Sequence, residues 1–101
     1  MKVEIQAVHF NADEKLKDFI EAKAEKLNTF FDRIIDCSVT LSLEHNGASI
    51  KDKNVVVKVQ IPGALLVAKE STKLFEESTD LAFDHIRRQI RKHKSKLRQH
   101  V

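Results

Sequence analysis

The run Ile35-Asp36-Cys37-Ser38-Val39-Thr40-Leu41-Ser42-Leu43-Glu44 alternates almost without a break. Cys37, Val39, Leu41 and Leu43 point one way, and Asp36, Ser38, Thr40, Ser42 and Glu44 point the other, which is the period of a strand with one buried face. A strand of this kind belongs in an antiparallel sheet that is covered on one side and wet on the other. The cover must come from elsewhere in the chain.

Downstream, His45-Asn46-Gly47 and the polar residues up to Asn54 read as a connecting loop. Val55, Val57, Val59 and Ile61 then alternate with Val56, Lys58 and Gln60, Pro62-Gly63 makes a tight turn, and Ala64 to Ala68 reads as a short further strand. Upstream, residues 2 to 10 read as a strand with Val3, Ile5 and Ala7 on one face. Val8 and Phe10 fall on the other face, so a bulge or change of register is expected near His9. Asn11 and Asp13 offer capping oxygens, and from Glu14 to about Phe31 the period turns helical, with Leu16, Ile20, Ala24, Leu27 and Phe31 in one stripe. Ser71 or Thr72 is the expected cap of a last helix running to about Gln99. Its docking face holds Phe75, Thr79, Ala82, Phe83, Ile86, Ile90, His93 and Leu97. The order is strand, helix, three strands, helix: an α+β, two-layer β-α-β-β-β-α domain in which a four-stranded sheet carries both helices on one face. Residues 1–101 have the length of a single small domain.

Charge is distributed unevenly along this plan. After Asp84 no acidic residue follows, whereas Arg87, Arg88, Arg91, Lys92, Lys94, Lys96 and Arg98 do, so the net charge of +3 hides a mildly acidic body and a strongly basic end. On the last helix Arg87, Arg91, Lys94 and Arg98 form a stripe roughly 80° to 140° from Ile86, and Arg88, Lys92 and Lys96 form a looser row on the far side. Cations at a helix C-terminus answer the macrodipole, but that effect is confined to the last turn, and this run is far longer. A polyanion-binding edge explains it better. The first helix is also segregated: Glu14, Asp18, Glu21 and Glu25 lie away from the core, and Lys15, Lys23 and Lys26 lie on one flank. Lys23 sits at the edge of the apolar arc between Phe19 and Leu27, a place that favours an aliphatic residue unless the lysine snorkels or meets a ligand. The basic flanks of the two helices are expected to meet along a groove opposite the wet face of the sheet.

Other chemistries find little support. The single cysteine, Cys37, excludes an internal disulfide, and its place in the alternating strand marks it as a buried structural thiol. His9, His45, His85, His93 and His100 are scattered, and neither a Gly-rich phosphate loop nor paired metal-ligand spacing is present, so an enzyme is not expected and no cofactor or metal is implied. No apolar window approaches the length of a membrane span, and the opening Met1-Lys2-Val3-Glu4-Ile5-Gln6 alternates in polarity, so a cytoplasmic protein is expected. Tyr and Trp are absent, and Phe19, Phe31, Phe75 and Phe83 fit the helical core faces, which leaves Phe10 and Phe30 unassigned and base stacking a minor theme.

Three stretches resemble the ribosome hibernation promoting factor family, and together the likeness spans essentially the whole chain. Leu16-Lys17-Asp18-Phe19-Ile20-Glu21-Ala22-Lys23-Ala24-Glu25-Lys26-Leu27 is similar to the family's first helix. Ile61-Pro62-Gly63-Ala64-Leu65-Leu66-Val67-Ala68 is similar to its last hairpin, and Ile86-Arg87-Arg88-Gln89-Ile90-Arg91-Lys92-His93-Lys94 to its closing basic segment. The resemblance implies a fold related in shape to double-stranded RNA-binding domains. It implies binding in the channel of the small ribosomal subunit where mRNA and tRNAs otherwise lie, with an idle ribosome in starved or stationary cells as the result. The implied partners are that subunit and its rRNA, with no membrane or small-molecule substrate, and a monomer off the ribosome. The family's rRNA contacts carry over to Lys23 and Lys26 on the first helix and to Arg88, Arg91, Lys92 and Lys94 on the second. Arg87 and Arg98 join them by geometry alone, and Arg87 stands where the family commonly has an acidic residue. Long members add a C-terminal dimerisation domain, and the likeness here is to the short form. Two other classes compete: general structured-RNA binding, and regulation through a protein partner on the acidic helix face or the wet sheet, for which the sequence offers no exposed apolar patch.

Overall fold

The computed structural model describes residues 1–44 and 52–99, with side chains described through residue 95. The expected loop positions 45–51, and the side chains of Lys96, Leu97 and Arg98, lie outside the described residues. The elements are β1 (Lys2–Ala7), α1 (Glu14–Phe30), β2 (Asp36–Glu44), β3 (Asp52–Ile61), β4 (Ala64–Thr72) and α2 (Phe75–Gln99), and the sheet order is β1-β2-β3-β4.

The alternation of β2 places Cys37, Val39 and Leu41 in the core. On its two sides β2 makes different ladders. It runs antiparallel to β3, with Val39 opposite Val57, and parallel to β1, with Ile5 opposite Val39. The parallel pair departs from a wholly antiparallel sheet because α1 carries the chain back across the layer, which is what a parallel neighbour requires. β1 is also shorter than residues 2 to 10. Val8 adds one more bond, from its N–H to the Leu41 carbonyl at 2.9 Å, and then His9 adopts φ 63, a left-handed conformation that ends the ladder. Phe10 leaves the strand altogether and stacks on Phe75 with ring centroids 5.2 Å apart.

β3 begins at Asp52, earlier than the valine run indicates, and β4 continues to Thr72, because Lys53 pairs with Thr72 and Asn54 with Ser71. Ser71 is therefore a strand residue whose hydroxyl donates to the Asn54 side chain, and neither it nor Thr72 caps α2. Leu74 takes that position: its carbonyl accepts the Ser78 N–H at 3.0 Å, and the Thr72 hydroxyl braces it by donating to the same carbonyl at 2.7 Å. The β3–β4 turn needs Gly63, which has φ 82, and Gln60 locks it by donating to the carbonyls of Ile61 and Ala64 at 2.9 and 3.0 Å.

α1 starts on Asp13, whose carboxylate accepts the Leu16 N–H at 2.8 Å, and stops where Phe31 becomes extended. Leu16, Ile20, Ala24 and Leu27 form its buried stripe. Ala82, Phe83, Ile86 and Ile90 of α2 join them over the sheet residues Val55, Val57, Val59, Ile61, Leu66 and Ala68 in a single core. Each fully buried isoleucine in this layer contributes about 1.5–3 kcal/mol of transfer free energy. Both helices lie on one face, and α1 packs beside α2, leaving a seam that faces away from the sheet.

Candidate nucleic-acid interface

The seam between the helices is where the expected cationic flanks come together. Lys23, Lys26, Leu27, Asp80, Phe83, Asp84 and Arg87 line a cleft of about 170 Å³. At one end Lys23 is held. Its ammonium sits 2.6 Å from an Asp80 carboxylate oxygen and 5.4 Å from the centroid of Phe19, with its side chain only 31% exposed. The unusual lysine at the edge of the apolar arc is thus met by a carboxylate from the other helix.

At the other end the cations have no such partner. The Lys94 ammonium lies 4.6 Å from the centroid of Phe30, and the guanidinium carbons of Arg87 and Arg91 lie 5.5 and 5.6 Å from it. Among the described residues none of the three is ion-paired with a carboxylate. Each contact with the ring face is worth roughly 0.5–1 kcal/mol at such partly exposed positions. Lys94 also donates to the Phe30 carbonyl at 3.4 Å and lies 5.4 Å from the Phe31 ring.

The structure therefore splits the expected set. Lys23, Lys26 and Arg87 share the cleft, and Arg87, Arg91 and Lys94 share Phe30. Arg88 and Lys92 are exposed outside this seam, and Arg88 pairs with Asp84 one turn earlier at 3.1 Å. The Arg98 side chain lies outside the described residues. Sequence reasoning missed three participants. Asp80 and Asp84 do not stand out as site residues because they read as ordinary solvated charges, although their spacing with Arg88 along one helix row was a usable signal. Phe30 falls outside the apolar stripe of α1, so periodicity leaves it without a role.

The remaining surface is less distinctive. On the wet face of the sheet Leu65 and Val67 are 56% and 37% exposed, a small apolar pair that the sequence reading had not anticipated. The β4 edge beside them is partly closed by Gln89, which donates to the Val67 carbonyl at 2.9 Å. Cys37 is buried as expected, and loss of hydration, reinforced by the neighbouring Asp36 charge, pushes its thiol up to about 11. No group of His, Cys, Asp and Glu among the described residues is arranged to hold a metal ion, and no helix there is long and apolar enough to cross a membrane.

Residues 3–98 match the family model described as Sigma 54 modulation protein / S30EA ribosomal protein. The chain belongs to this family. Within it, the chain is 32% identical over 99 residues to the ribosome hibernation promotion factor of Bacillus subtilis, covering 96% of this chain and 50% of that one. It is 32% identical over 100 residues to the ribosome hibernation promoting factor of Klebsiella oxytoca, covering 99% of this chain and all of that one, 100%. It therefore spans half of the Bacillus relative and the full length of the Klebsiella one. The fold matches a ribosomal subunit interface protein from Coxiella burnetii with a TM-score of 0.83 at 18% identity, covering 94% and 99% of the two chains. It also matches the N-terminal domain of Thermus thermophilus Protein Y with a TM-score of 0.78 at 20% identity, covering 92% and 99%. The β-α-β-β-β-α arrangement expected from the sequence is the one present.

Proposed function

We propose that this family member is a ribosome-binding translation inhibitor. It lies in the mRNA and tRNA channel of the small subunit, contacts the rRNA there through the seam between α1 and α2, and promotes hibernation when cells starve or enter stationary phase. In this reading residues 1–101 act as one ribosome-binding unit in the cytoplasm, monomeric off the ribosome, without a cofactor and without catalysis. The observation that carries the reading is the cluster of Arg87, Arg91 and Lys94, joined through Arg87 to the cleft that Lys26 lines and left without carboxylate partners among the described residues. A row of uncompensated cations is unfavourable in isolation and becomes favourable against a phosphate backbone, where condensed counterions are released. The names of the full-length relatives give the same direction.

Co-sedimentation with purified ribosomes on sucrose gradients at low and high salt tests this reading, with an Arg87→Glu, Arg91→Glu, Lys94→Glu triple variant alongside. The wild type should travel with the small subunit or the whole ribosome at low salt and leave it at high salt, and the variant should stay at the top. Wild type remaining at the top at low salt rejects ribosome binding. Equal binding to free structured RNA and to ribosomes would instead favour a general RNA-binding protein.

A further inference from the structure

Phe30 plays no part in a charge argument, yet the cations converge on it. It is the last residue of α1, half-buried, and Lys94, Arg87 and Arg91 from α2 all lie within 5.6 Å of its ring centroid. Gathering three like charges costs repulsion, so something must offset it. The negative face of the ring is one source. The C-terminal end of α1 is another: its last turn holds no basic residue of its own, and Lys94 supplies one by donating to the Phe30 carbonyl at 3.4 Å.

Completing that helix end takes a single cation, and Lys94 already does it. Arg87 and Arg91 are surplus to this structural task, and neither is ion-paired with a carboxylate among the described residues. Two planar guanidinium groups and an ammonium held around one ring supply the donors that a phosphodiester takes, forked donation from arginine and point-charge neutralisation from lysine.

We propose that Phe30 is a positioning residue that gathers Arg87, Arg91 and Lys94 into one subsite for a single phosphodiester of an RNA backbone. The proposal rests on the reading of the seam as an RNA-binding surface.

Two probes test it: a short fluorescein-labelled RNA duplex followed by anisotropy across a salt series, and purified ribosomes followed by pelleting. Phe30→Leu keeps apolar bulk but removes the π-face, and Phe30→Tyr keeps the ring. The leucine variant should lose about five- to tenfold in affinity, with the slope of log K against log salt reduced by about 0.7 to 0.9, one phosphate's worth. The tyrosine variant should bind within about twofold of wild type, since its ring face attracts cations equally well. Unchanged affinity and slope for Phe30→Leu with both probes overturns the proposal, as does a loss that tyrosine does not restore.

If Phe30→Leu does not fold, Arg87→Gln, Arg91→Gln and their double variant still decide the matter, because they leave the ring and the core untouched. A shared subsite predicts that the double variant loses one phosphate from the slope, and a loss of two overturns it. Phe30-dependent binding of the duplex without any pelleting on ribosomes would keep the subsite and remove the ribosomal reading. Pelleting on ribosomes, with neither probe sensitive to Phe30→Leu, would do the reverse.

Discussion

Asp80→Asn should weaken the fold slightly while tightening the grip on RNA, and the opposite signs make the variant informative. The carboxylate lies 2.6 Å from the Lys23 ammonium, but its side chain is 51% exposed, so solvent screens the pair heavily. A pair of this kind contributes at most about 1 kcal/mol to stability, and the exposure of Asp80 puts it toward the lower end. For a domain of this size that amounts to a drop in Tm of no more than about 4–8 °C. The effect on binding has a different origin. Asp80 shares the cleft with Lys26 and Arg87, so its charge repels any phosphate that enters. At contact distance such a repulsion is about 1 kcal/mol in water and about 4 kcal/mol at the lower effective dielectric of a protein surface. The exposure of this site selects the lower figure, roughly fivefold in affinity. Freeing Lys23 also adds one cation to the seam and should steepen the salt dependence by about 0.7 to 0.9. Pelleting with ribosomes between ~50 and ~200 mM salt reads the affinity and its salt slope, and thermal denaturation reads the stability. Weaker binding by Asp80→Asn at an unchanged slope would refute the argument, because the carboxylate would then be holding Lys23 in its working position.

Two further outcomes follow from the fold. With the Cys37 thiol pushed up to about 11, its proton is kept by the folded chain and lost by the unfolded one between about pH 9 and 11. Stability in that window therefore falls as pH rises, by a total on the order of 3 kcal/mol. Chemical denaturation at stepped pH should show this decline in wild type and its absence in Cys37→Ala, and equal slopes for the two would refute it. Gly63→Ala should cost about 1–2 kcal/mol by denaturant titration, since φ 82 strains any side chain although the space around it is open; a cost below experimental error would mean that the turn relaxes.

What was legible in the sequence was periodic. Alternation in Asp36–Glu44 and the helical stripes of α1 and α2 fixed which residues meet in the core, because burial acts on every second or every third to fourth side chain. The ends of elements were less legible because they depend on partners distant in sequence. Thr72 is a strand residue on account of Lys53, and β1 stops at a backbone angle at His9 that no side-chain pattern announces. The parallel placement of β1 likewise follows from the path through α1. Within the candidate site, the cations were visible as a charge run, but their division was not. That Lys23 is held by Asp80, while Arg87, Arg91 and Lys94 gather at Phe30, is a matter of one helix lying against another.

The bond from Lys94 to the Phe30 carbonyl joins positions 64 residues apart in the chain. A chain that has completed α1 and the whole sheet owns the ring but none of the three cations around it. The cluster therefore exists only where α2 is docked beside α1, and the same docking seals the core through Ile86 and Ile90. Half-made or partly opened copies therefore lack the assembled cluster, so RNA binding through the proposed subsite would report that α2 is docked.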